Sequence, residues 1–118
     1  MSNKILVVDD DPMVLDLMKV ILDNYGYISI TTDNSERAIE LYKELKPSAI
    51  ITDINMPKLG GIDFAKEILK YDKDAIIIFC SGTIVECEIS EAEKLGMCVI
   101  PKPFDYKNVI RILKMGGL

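Results

Sequence analysis

A handful of polar side chains in this sequence could do chemistry together. Asp9 and Asp10 directly follow the apolar run 5–8, and Asp53 directly follows Ala49–Thr52. Ser81 ends the run 75–80, and Lys102 stands just past Met97–Ile100. Three carboxylates brought together repel one another and stay ionised only beside a counter-charge. Lys102 and a bound metal are the two cations that would relieve them. All-oxygen donors suit Mg²⁺, with Mn²⁺ as the alternative, rather than zinc; a few carboxylates completed by water suit Mg²⁺ in particular. A carboxylate beside such an ion can attack phosphorus, and Asp53 is the candidate nucleophile. The Lys102 ammonium and the Ser81 hydroxyl could then balance charge on the phosphoryl oxygens. Each residue also has a plainer reading. Asp9–Asp11 could simply be acids favoured by a helix N-terminus, Asp53 a strand-end cap, and Ser81-Gly82 a turn. Only the constellation points to chemistry.

Composition narrows the field. The 118 residues carry 14 Lys+Arg and 19 Asp+Glu, a net charge of −5, which argues against nucleic acid or an anionic membrane as the main partner. Histidine is absent, which excludes a Ser-His-Asp hydrolase, a His-ligated zinc site and a phosphohistidine carrier. Cys80, Cys87 and Cys98 form no CxxC pair, so the sequence suggests neither a disulfide framework nor a thiolate metal site, and a reducing cytoplasm fits. No apolar run is long enough for a membrane span or a signal peptide.

Short apolar runs alternate with helix-period segments. Ile5–Val8 is β-branched and unalternating, as in a strand covered on both faces. Asp11-Pro12 then reads as a helix cap and first position, with Val14, Leu17, Met18, Ile21, Leu22 and Tyr25 at helical spacing. Further strands are expected at Tyr27–Thr32, Ala49–Thr52, Ala75–Cys80 and Met97–Ile100. Helices are expected after Asn34 or Ser35 up to Pro47, around Ile62–Leu69, over the acidic segment Thr83–Leu95, and around Tyr106–Leu113. Five strands alternating with five helices predict one α/β domain over residues 1–118, a doubly wound parallel sheet between helix layers. In such a sheet the site lies outside the carboxyl ends of the strands. That rule brings Asp9, Asp10, Asp53, Ser81 and Lys102 to one edge. The second strand ends without a comparable anchor, as an outer strand would.

At these residues the sequence resembles a response-regulator receiver domain, the phosphoacceptor module of two-component signalling. The likeness covers Lys4 to Leu113 and rests on Ile5–Pro12, Ile51–Pro57, Cys80-Ser81-Gly82 and Lys102-Pro103-Phe104. It implies a flavodoxin-like fold with strand order 2-1-3-4-5, the order for which a chemotaxis regulator is a standard example. By position, Asp53 resembles the phosphorylated aspartate. Asp10 resembles a direct Mg²⁺ ligand, helped by Asp9 through water and by the backbone carbonyl of Asn55. Ser81 resembles the switch hydroxyl, Lys102 the lysine that pairs with the phosphate, and Lys102-Pro103 a cis bond.

The resemblance also implies partners. A sensor histidine kinase or phosphotransfer protein would supply the phosphoryl group, and an output domain or protein would read the face around residues 84–113. A phosphorylation-linked homodimer is compatible with the family. The domain would be cytoplasmic, not an enzyme with its own substrate, and would not itself bind DNA or a membrane. Two positions depart from the family pattern. Val99 stands where an aromatic often couples to the switch hydroxyl, and Gly60-Gly61 replaces Asp-Gly or Asn-Gly, which should loosen the loop after Met56-Pro57. Asn55 and Thr83 stand where the family tunes phosphoryl lifetime. A small Mg²⁺-dependent phosphatase is the main rival, but it needs an aspartate where Asn55 stands. A receiver that no longer phosphorylates is the other rival, and the filled site positions argue against it. A flavin module fits poorly, because acids stand where a phosphate-cradling loop would be. Gly116-Gly117 suits either the tail of a stand-alone regulator or the start of a linker.

Overall fold

The computed structural model describes residues 3–54, 59–81, 98–101, 106–115 and 117–118. Five parallel strands form one sheet: β1 (Lys4–Val8), β2 (Ile28–Thr32), β3 (Ala49–Asp53), β4 (Ile77–Ser81) and β5 (Cys98–Pro101), in the order β2-β1-β3-β4-β5. The described helices are α1 (Pro12–Asn24), α2 (Ser35–Leu45), α3 (Gly61–Tyr71) and α4 (Tyr106–Met115). The expected helix at Thr83–Leu95 lies outside the described residues. Observed strand ends differ from expectation by one or two residues. At β4, for example, Ala75 closes a turn onto the Asp72 carbonyl, so the strand begins at Ile77 rather than Ala75.

Local chemistry sets the element boundaries. Asp11 caps α1 by accepting from the Met13 amide at 2.9 Å, with Pro12 in the first turn, where a missing N–H is harmless. Asn34, rather than Ser35, caps α2: its side chain accepts from Glu36 and Arg37 at 2.9 and 3.1 Å. That helix ends on Lys46, which takes a left-handed conformation (φ 48°) ahead of Pro47.

Both faces of the sheet are covered, which explains the unalternating apolar strands. On one face Ile5, Val7, Ala49, Ile51, Ile78 and Cys80 pack against Met18, Ile21 and Leu22 of α1 and Val109, Ile110 and Leu113 of α4. On the other, Leu6, Val8, Ile50, Ile77 and Phe79 meet Ala38 and Tyr42 of α2 and Phe64, Ala65 and Ile68 of α3. Side chains alternate along a strand, so Asp9 continues the series Ile5, Val7 and Asp53 the series Ala49, Ile51. Both carboxylates therefore terminate rows that face α1 and α4.

Candidate metal and phosphoacceptor site

Register brings the acids together. Val8 pairs with Thr52 across β1 and β3, so Asp9 and Asp53 follow as neighbours at the carboxyl edge of the sheet. Asp9 stays tied to the ladder through its amide, which donates to the Thr32 carbonyl at 3.2 Å, and its Oδ1 accepts from the Asp11 amide at 2.9 Å. Asp53 is still within β3, its Cα opposite Cys80 of β4, and the Ile54 amide donates to the Cys80 carbonyl at 3.3 Å. Asp9 and Asp53 are 2% and 7% exposed, whereas Asp10 is open to solvent. Val7, Val14, Met18, Ile51 and Cys80 form an apolar floor beneath the two buried acids.

Carboxylate oxygens of Asp9, Asp10 and Asp53 all lie within 4.8 Å of one another. The donor chemistry fits a hard divalent cation: oxygen only, with two acids held in place and one facing water that can complete the shell. Asp11 takes no part in this cluster. Its side chain is spent on the helix cap, as its position predicts. Ser81 lies in β4 at the register position facing Pro101 of β5, which places its backbone at the same edge of the sheet. Val99 sits in β5 opposite Phe79. Asn55, Lys102 and the Lys102-Pro103 bond lie outside the described residues, as do Met56-Pro57 and Thr83.

The expectation that Gly60-Gly61 loosens the loop needs correction at Gly61. The Gly61 amide donates to the Ile54 carbonyl at 2.8 Å, and a Cβ on Gly61 would overlap the Asp53 carbonyl oxygen and come within 2.8 Å of Ile54 Cα. The N-terminus of α3 thus rests directly on the strand end that carries Asp53. Gly60, in contrast, has an ordinary extended conformation and is a helix cap without a side chain to do the capping. A second restraint was also invisible in the sequence: the Ser35 hydroxyl donates to the Leu59 carbonyl at 2.7 Å.

The 2-1-3-4-5 parallel sheet, with a carboxylate cluster at its carboxyl edge, places the chain in the flavodoxin-like class of α/β folds. The profile of the response regulator receiver domain matches residues 5–114, and the chain belongs to that family. It is 39% identical to the chemotaxis protein CheY of Thermotoga maritima, over 96% of each chain. It is 34% identical to the chemotaxis protein CheY of Bacillus subtilis, again over 96% of each. A CheY-like receiver domain from Methanospirillum hungatei has the same fold, with a TM-score of 0.93 over 98% of this chain and 94% of that one at 21% identity. The chain is thus a receiver domain of the CheY type, a phosphoacceptor in two-component signalling. Receiver domains bind Mg²⁺ at an acidic pocket, and the three aspartates form such a pocket here. Among the described residues no helix is long and apolar enough to cross a membrane.

Proposed function

We propose that Asp53 is the residue that accepts the phosphoryl group and that Asp9 and Asp10 hold Mg²⁺ beside it, with the Asn55 carbonyl as a further ligand. The observation that carries this reading is the meeting of three carboxylates at the ends of two adjacent central strands. An Asp53 carboxylate oxygen attacks the phosphorus of a phosphohistidine on a partner kinase or phosphotransfer protein. The new O–P bond forms as the P–N bond breaks, and the bonding pair leaves with the imidazole. A bound Mg²⁺ would neutralise charge on the phosphoryl oxygens. Ser81 and Lys102 are assigned to the phosphorylated state, the hydroxyl and the ammonium each bonding a phosphoryl oxygen.

The phosphoryl group brings a charge of about −1.5 to −2 into a site walled by acids. Drawing Ser81 and Lys102 toward it biases the face around residues 84–113, which an output domain or protein then reads. Residues 1–118 act as one cytoplasmic receiver domain that assists its own phosphorylation and turns over no separate substrate. Acetyl phosphate with Mg²⁺ should label the wild-type protein and leave Asp53→Asn unlabelled. Equal labelling of the two would sink the assignment of Asp53.

A further inference from the structure

We infer that Ser35, at the start of α2, is a positioning residue for the phosphoacceptor strand end; its link to the metal site rests on the function proposed above. Asn34 already satisfies the first amides of α2, so the Ser35 hydroxyl is not needed as a cap. Ser35 is instead 3% exposed and donates to the carbonyl of Leu59, a residue 24 positions away, at 2.7 Å. Leu59 also packs against the α2–α3 core, so both its backbone and its side chain are held. Two residues later the Gly61 amide closes onto the Ile54 carbonyl, and the Gly61 Cα is pressed against the Asp53 carbonyl, with no room for a Cβ.

These contacts form a continuous mechanical path. α2 holds Leu59, Leu59 fixes the entry of Gly60-Gly61, and Gly61 braces the backbone of Asp53 and Ile54. Removing the Ser35 hydroxyl leaves a half-buried carbonyl without this donor. The N-terminus of α3 is then free to withdraw from the strand end, and the Asp53 carboxylate loses its fixed distance from Asp9 and Asp10. The site thus depends on a helix that carries none of its ligands and packs on the opposite face of the sheet from α1.

The test compares Ser35→Ala with Tyr42→Phe, which also removes one hydrogen bond, that to Asp72. Amide hydrogen exchange in the metal-free protein reads the brace directly. Ser35→Ala should speed exchange at Gly61 and Ile54 about five- to tenfold relative to the Tyr25 and Lys46 amides at the far helix ends. Tyr42→Phe should not, and Ser35→Thr should restore wild-type rates. A Mg²⁺ titration should then show a three- to tenfold higher midpoint for Ser35→Ala than for Tyr42→Phe. Equal Gly61 exchange in Ser35→Ala and Tyr42→Phe would overturn the brace. A brace confirmed by exchange but with equal Mg²⁺ midpoints would overturn its role in positioning. Wild-type protein with no Mg²⁺ response would instead count against the metal site itself, and the exchange comparison would still decide the brace.

Discussion

Asp9 and Asp53 end adjacent parallel strands on the same face of the sheet, one residue beyond the paired Val8 and Thr52. Neither can leave without disturbing the ladder, because the Asp9 amide and the amide following Asp53 are both hydrogen-bonded to neighbouring strands. The apolar floor below them holds both acids at the rim, and Asp10 alone faces water.

That arrangement predicts a large effect of the ion on stability. Mg²⁺ at a hundred times its Kd should stabilise the wild-type protein by about 2.7 kcal/mol. Asp10→Ala should lose most of this at the same Mg²⁺ concentration, while keeping the fold. Urea unfolding with and without Mg²⁺ would measure both; equal gains in the two proteins would remove Asp10 from the ligand set.

The two loop glycines should respond in opposite directions. Gly60→Ser supplies a missing helix cap and restricts the unfolded chain, so it should add roughly 0.5–1 kcal/mol. Gly61→Ala should cost about 1–3 kcal/mol, because its Cβ has only backbone to displace. Thermal unfolding of the two variants is the check.

Tyr42 links the far ends of α2 and α3. Its hydroxyl donates to Asp72 at 2.7 Å, and its ring meets Tyr71 edge-on. Burial first, then the bond to Asp72, raises the phenol well above its ordinary value of 10.0. A raised folded value means that the protonated phenol stabilises the fold below pH 10 or so, and that this contribution is lost as pH climbs beyond it. Tyr42→Phe should cost about 1–2 kcal/mol at neutral pH. Its deficit relative to wild type should shrink as pH rises above about 10. Denaturant unfolding at pH 7 and above pH 10 tests the sign, and a deficit that widened at high pH would refute it.

α1 begins beside the acids and exposes Met13, Leu17 and Val20 along its outer side. Under the proposed function, a histidine donor reaching Asp53 would approach over the rim from which this helix starts. Leu17→Glu should therefore slow transfer from a phosphorylated kinase by tenfold or more, about 1.4 kcal/mol. Labelling by acetyl phosphate should stay at the wild-type rate. Equal loss in both assays would mean that the substitution acts on the site and not on docking.

The parts of this fold that follow from short-range rules were legible in the sequence. β1 and β3 are unalternating because both faces are covered, and Asp11-Pro12 announces a helix start from its own side-chain chemistry. Asp9, Asp10 and Asp53 could be placed together because strand ends converge in parallel sheets. What escaped depends on contacts between distant segments. Nothing near Ser35 indicates that Leu59 will be its acceptor, and Tyr42 gives no sign of Asp72, 30 residues on. Gly61 was visible as a glycine, but only the packing of α3 on Asp53 shows that it serves close approach and not slack.

The closure of Ile54 onto Gly61 also makes the intervening segment an exchangeable cassette. Its two ends are fixed by one backbone hydrogen bond and by a glycine that tolerates no side chain, whatever lies between. Segments transplanted from related receivers must satisfy those two ends and also keep, at position 59, a carbonyl that accepts from the Ser35 hydroxyl.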